Sequence, residues 1–262
     1  YQMHGHAERC VSKYCELANI PENSLKKVQT PNLDDHQLQP EEFETKGKLS
    51  DIASRVVLTA LYLARMSRID CLWTVNVLAR EVNKWTVACD KRLHRLMCYL
   101  HHTADYAMVC HVGDRMDECQ LALFVDAGFA GDLSDSKSTS GALVALIGKH
   151  TFVPITWICK KQTAVSHSSS EAEVVALDAA VRMEGIPCLQ LWGVILDTFI
   201  GTNQSSRAPR TSQDKFKTAQ PYVHSIDYVP PNVAATNPLA KMVVYEDNDA
   251  VIKMCVKGRP PN

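Results

Sequence analysis

Residues 121–131 read LALFVDAGFAG, residues 141–148 GALVALIG and residues 152–161 FVPITWICKK. Apolar and β-branched side chains dominate all three runs, and short polar or glycine-containing pieces separate them. Such runs predict three β-strands, and the short connections predict an antiparallel meander. A helix is predicted from Ser170 to Leu196. Residues 198–238, rich in Thr, Ser, Gln, Asn and Pro, then read as a polar insertion. MVVYEDN (242–248) predicts a fourth strand and DAVIKMCVK (249–257) a closing helix. The order β-β-β-α-insertion-β-α predicts a mixed α/β layer fold over residues 118–262.

Upstream, the periodicity changes. Ile52, Val56, Leu58, Leu61 and Leu63 recur at helical spacing, as do Trp73, Val77 and Leu78, and then Leu93, Leu96, Met97 and Leu100. Three helices are predicted in a small module over residues 50–115, with breaks at Ser67–Asp70 and Asn83–Trp85. Residues 1–49 are polar and are expected to be partly disordered, with one short helix from Glu8 to Leu17 and loop from Pro21 to Lys48.

Apolar residues make up 46% and charged residues 22%, the balance of a globular protein with a core. The net charge of -1 gives no overall attraction to nucleic acid, so any basic surface must be local. Ten cysteines scattered through apolar segments, without a secretory leader, predict reduced thiols in an intracellular protein. The first residue is Tyr1, which predicts a piece of a longer chain. No apolar run approaches the roughly 18 residues of a membrane span, so no membrane association is expected. His4, His6, Cys10 and Cys15 fit no common zinc-finger spacing, and zinc is not expected there.

Three acids stand out. Asp126 ends one apolar strand and Asp247 another, positions that need an explanation if desolvated and that otherwise suit turn or cap residues. In SSSEAEVVAL (168–177), Glu171 and Glu173 lie about 200° apart on a helix. Glu171 stands three residues after Ser168, the spacing of a capping box. Glu173 shares its side with Ala176, Leu177 and Ala180, so it faces the apolar layer and needs a partner. Convergence of Asp126, Glu173 and Asp247 would make an oxygen-only cluster suited to two Mg²⁺ or Mn²⁺ ions. Three unrelated surface acids are the alternative. A shared site requires the two strands to be neighbours and the carboxylates to lie within roughly 10 Å.

The segments VDAGFAGD, SDSKSTSG, ITWICKKQTAVSHSSSEAEVVAL and YEDNDAVIK, in that order, resemble the ribonuclease H domain of copia-type (Ty1/copia) retrotransposon Pol polyproteins. Upstream, SRIDCLWTVNVLAR and CDKRLHRLMCYLHHTADYAM resemble the segment that connects the polymerase to that domain. The resemblance implies a ribonuclease H-like mixed sheet with flanking helices, preceded by a small helical module. It implies hydrolysis of the RNA strand of an RNA–DNA hybrid with two Mg²⁺ (or Mn²⁺) ions, with Asp126, Glu173 and Asp247 as catalytic metal ligands. It also implies an upstream reverse transcriptase domain as partner, and residence in a cytoplasmic particle or the nucleus. Lys137, Lys160 and Lys161 then contact phosphates or form a solvated face, and Ser138, Thr139 and Ser140 contact the nucleic-acid backbone or make a turn. Trp157 is expected in the core.

Two departures qualify this. Gly128 stands where the family commonly has an acid, and the family's fourth carboxylate falls past Asn262. The polar insertion is also longer than usual. A degenerate, inactive retroelement fragment that binds nucleic acid or a partner protein is therefore the competing expectation, with a recruited structural subunit as a third.

Overall fold

A computed structural model describes residues 3–131, 135–200, 237 and 239–258. The polar insertion falls almost wholly outside them. The chain divides into two compact units, Tyr1–Cys110 and His111–Asn262.

The first unit is helical. Helix α1 (His6–Ala18) buries Ala7, Cys10, Val11 and Tyr14, spaced three and four apart so that they form one stripe. It packs against α3 (Ser50–Met66) and α5 (Val87–His102). The described residues from 3 to 49 therefore pack as part of the first unit, with α1, Leu25 and Leu38 contributing to its core, rather than as a separate segment. The sparse apolar positions misled because Cys10 and Tyr14 carry much of the buried stripe. Short α2 (Pro40–Glu44) and α4 (Leu72–Arg80) complete the layer. The Asp90 carboxylate accepts bonds from the Lys48 and Leu49 backbone N–H groups and from Trp85 Nε1, at 2.7, 3.2 and 2.6 Å, tying the start of α3 to α5. Arg68, 3% exposed, donates to the Thr103 carbonyl and hydroxyl, both at 2.7 Å, and pairs with Asp70 at 2.9 Å.

The second unit is mixed α/β, with four strands among the described residues. β1 (Gln120–Gly128), β2 (Thr139–Gly148) and β3 (Thr151–Lys161) form the antiparallel meander. β4 (Met242–Tyr245) adds to the other side of β1 in parallel, giving the order β3-β2-β1-β4. Leu121, Leu123, Val125 and Ala127 alternate along β1 toward one face. There they meet Ala172, Ala176 and Ala180 of α6 (Ser169–Ala180), and Trp192 and Leu196 of α7 (Ile186–Phe199), in one core cluster. Three alanines in register let the helix lie close to the sheet. On the opposite side Phe124 and Tyr245 stack with ring centroids 4.8 Å apart. Helix α8 (Asp249–Lys257) follows β4. This is a ribonuclease H-like mixed sheet with flanking helices.

A π-helical turn, Val181–Gly185, joins α6 to α7. A Cβ at Gly185 would stand 3.1 Å from Met242 Cε and 3.2 Å from Leu123 Cδ2, so the bare backbone lets this turn approach β1 and β4. The continuous helical stretch Ser169–Phe199 is long and apolar enough to cross a bilayer by length and composition. The search for uninterrupted apolar runs missed it because charged residues such as Asp178, Arg182 and Glu184 punctuate it. In this fold its apolar side packs on the sheet.

Candidate metal centre

The β1–β4 pairing builds the site. Phe124 and Tyr245 form its last rung. Asp126 and Asp247 each stand two residues beyond that rung, at the carboxyl ends of adjacent strands. Glu173 reaches them from the first turns of α6. One carboxylate oxygen from each of Asp126, Glu173 and Asp247 lies within 4.8 Å of the other two. Asp126 and Asp247 are exposed, while Glu173 is 7% exposed.

Such a cluster is self-repelling. Unit charges at this separation oppose one another by about 3 kcal/mol per pair at an effective dielectric constant near 20, less where water reaches them. Burial, and then the charges of Glu246, Asp126 and Asp247, push the Glu173 carboxyl up to about 7, against a bond from the Ala127 backbone N–H that lowers it. Glu173 Oε2 is buried and has no hydrogen-bond partner. An orphaned oxygen inside an all-carboxylate donor set fits a hard divalent cation such as Mg²⁺ or Mn²⁺.

Supporting bonds fix the three acids. Ser168 caps α6, its hydroxyl accepting from the Glu171 backbone N–H at 3.1 Å. The Glu171 carboxylate accepts from the His167 backbone N–H at 2.7 Å, one residue further back than a capping box requires. Glu171 is thus committed to the helix start. Asn248 caps α8, accepting from the Ala250 and Val251 N–H groups, and also accepts from the Ser170 hydroxyl at 3.3 Å. That last bond links the start of α6 to the residue after Asp247.

Gln162 is a positioning residue that the sequence reading did not single out. Its buried side-chain amide donates to Ser140 Oγ at 3.0 Å and to the Ala172 carbonyl at 2.8 Å, and accepts from Ser166 Oγ at 3.1 Å. It joins β2 to α6 beside Glu173. A lone Gln after a lysine pair carries no periodic or motif signal that would have found it.

The expected nucleic-acid contacts divide. Ser138 is fully buried, its hydroxyl accepting from the Ala130 N–H at 3.1 Å, and Ser140 is 4% exposed and bonded to Gln162. The Ser138 hydroxyl braces the β1–β2 connection and the Ser140 hydroxyl receives Gln162 from the end of β3, so both bond inward rather than toward a phosphate, and for Ser138 the turn alternative fits. Thr139 is half-buried. Lys137 and Lys161 pair with Asp135 at 3.5 and 2.8 Å, while Lys160 is exposed. Lys160 and Lys161 line a cleft of about 360 Å³ with Arg182 and Asp178. Trp157 is half-buried rather than fully in the core. His4, His6, Cys10 and Cys15 form no metal-capable group among the described residues.

No protein-family model matches the chain, and no solved structure matches it significantly. It is 34% identical over 119 residues to the retrovirus-related Pol polyprotein from transposon RE2 of Arabidopsis thaliana, which is 45% of this chain and 8% of that protein. The corresponding polyprotein from transposon RE1 of the same plant is 34% identical over 127 residues, 48% of this chain and again 8% of the relative. The secreted RxLR effector protein 161 of Plasmopara viticola is 32% identical over 122 residues, 47% of this chain and 81% of that protein. The chain thus spans less than a tenth of the two polyproteins and most of the third relative. By these matches the chain is a retrotransposon Pol-related protein.

Proposed function

We propose that the second unit is a metal-dependent endonuclease that hydrolyses the RNA strand of RNA–DNA hybrids, as the ribonuclease H part of a retrotransposon reverse transcriptase. The observation that carries this reading is the meeting of Asp126, Glu173 and Asp247 oxygens within 4.8 Å at the carboxyl ends of two parallel neighbours. Two Mg²⁺ (or Mn²⁺) ions, when bound, supply an activated water and stabilisation of the leaving oxygen. The chain's own part is to hold those ions with the three carboxylates, with Glu173 fixed by its buried helix. Lys160, exposed near the end of β3, and Lys161 offer charge toward phosphates. Selection of the RNA strand rests on minor-groove shape and the 2′-hydroxyl. In this reading the partner is an upstream reverse transcriptase domain, and the protein works in an intracellular particle or the nucleus without a membrane.

The test is cleavage of a labelled RNA–DNA hybrid in Mg²⁺, comparing the chain with Asp126→Asn. Loss of at least about 100-fold in rate is expected, as for removal of a group acting in the transition state. Undiminished cleavage by the variant would remove these residues from the chemistry. Gly128, in place of the family's second acid, favours a second reading, an inactive retroelement fragment. Binding of hybrid with no cleavage by either protein would select it.

A further inference from the structure

We infer that Gln162 fixes where Glu173 stands along the sheet, and through that sets the affinity of the centre for its cations, without touching an ion itself. This rests on the metal-centre reading above. The packing of α6 leaves that position open. Its contact with β1 runs through Ala172, Ala176 and Ala180, all fully buried. Methyl groups allow close approach, but they offer no long side chain to interlock with the strands, so they resist sliding along the helix axis only weakly. Directional bonds must hold the helix in place, and two of them flank Glu173. On one side the Ser170 hydroxyl donates to Asn248, the residue after Asp247. On the other, Gln162 Nε2 donates to the Ala172 carbonyl, which is part of the peptide unit that carries Glu173. The same Nε2 donates to Ser140 Oγ. Ser140 is the cross-strand partner of Ala127, and Gly141 is the partner of Asp126. One amide therefore refers the peptide of Glu173 to the rungs beside Asp126. The Ser166 hydroxyl holds Gln162 Oε1, and the Gln162 backbone N–H donates to the Ser138 carbonyl at 2.8 Å, so the amide is itself anchored to the sheet. Gln162, Ser140 and Ser166 are all buried, so water does not compete for these bonds. Metal ligands must be held to within roughly 0.5 Å, and bonds behind the ligands are what hold them.

The experiment is calorimetric titration of the full chain with Mn²⁺ alone, with denaturation midpoints measured alongside. Asp126→Asn reports on the centre itself. Gln162→Met keeps the length of the side chain and removes its donors, while Ser140→Ala removes one acceptor. Leu146→Ala is the packing control, because Leu146 pairs with Leu121 at the far end of β1. The parent is expected to bind Mn²⁺ and Asp126→Asn to bind it less tightly. Gln162→Met is expected to lose about 10–100-fold in Mn²⁺ affinity, as for other residues behind metal ligands. Ser140→Ala loses affinity as well, and the double variant loses no more than Gln162→Met alone, because both act through one network. Leu146→Ala lowers the midpoint and keeps the parental affinity. Should Gln162→Met fail to fold, Ser140→Ala carries the test: lost affinity supports the role of Gln162 and parental affinity overturns it. Parental affinity in Gln162→Met, or an equal loss in Leu146→Ala, would overturn that role and leave the three-acid centre standing. No Mn²⁺ binding by the parent, or binding indifferent to Asp126→Asn, would overturn both.

Discussion

At the scale of single residues, the decisive contrast is between acids that are paid in hydrogen bonds and acids that are not. Asp90 and Asp70 are saturated by neighbours. Glu173 is not, and its chemistry follows. A carboxyl whose folded pKa is raised binds its proton more tightly when folded, so folding is favoured at low pH and loses that advantage as pH rises. For Glu173 the window runs from its ordinary value of 4.5 to about 7. In chelator the second unit is expected to lose stability between about pH 4.5 and 7, with Mg²⁺ restoring it at neutral pH. Glu173→Gln should flatten this dependence and raise the neutral-pH, metal-free melting temperature by a few degrees, at roughly 2–4 °C per kcal/mol for a chain of this size. A steep pH dependence that survives the substitution would assign it to other groups. The candidate triad was legible because each acid interrupts an apolar pattern. The charge that Glu246 adds beside Glu173 was not, since one acid next to another in YEDN reads as the same strand end. For Ser138 and Ser140 the choice between a nucleic-acid contact and a turn stayed open, because small polar residues near glycine look alike whether they face solvent or, as here, bond inward.

At the scale of elements, period two was sufficient for β1, β2 and β3, and an apolar run before an acid was sufficient for the four residues of β4. The place of β4 beside β1 was not in the local pattern. It depends on which strand offers a complementary edge after α6 has crossed the sheet, and the order of elements allowed that pairing without requiring it. The helix break between α6 and α7 was also invisible, because a π turn keeps the helical period nearly intact. Contact between α6 and β1 depends on the row Ala172, Ala176 and Ala180, all fully buried. Ala176→Leu should therefore cost about 1–3 kcal/mol through overpacking. It should also lift Glu173 off the strand ends, so Mn²⁺ affinity falls along with the denaturation midpoint. A variant that is destabilised yet binds Mn²⁺ at the parent affinity would show that the site does not depend on this packing.

At the scale of the whole molecule, two units with their own cores predict two unfolding events. Asp70 tests this from the first unit. Burial pushes its carboxyl up, but the bonds from Arg68 outweigh that and hold it below the usual carboxylate range. Its stabilisation is present above its ordinary value of 3.8 and is lost as pH falls through the lowered folded value. Asp70→Asn strands the buried Arg68 charge and should cost about 2–3 kcal/mol. Denaturation followed by tryptophan fluorescence and by Mn²⁺ binding should show the first transition moving and the Mn²⁺-linked transition staying. Movement of both would mean one cooperative system.

The β1–β4 pairing has a kinetic consequence. Its rungs join Leu121 to Met242 and Phe124 to Tyr245, partners about half the chain apart. Closing so long a loop is slow relative to forming the neighbouring hairpins. Asp247 enters the centre only with that closure, and a slip of one residue would turn it to the wrong face. A newly made chain is therefore expected to form the meander before the three carboxylates are gathered. Under the proposed function, the last strand to arrive sets when the centre is complete.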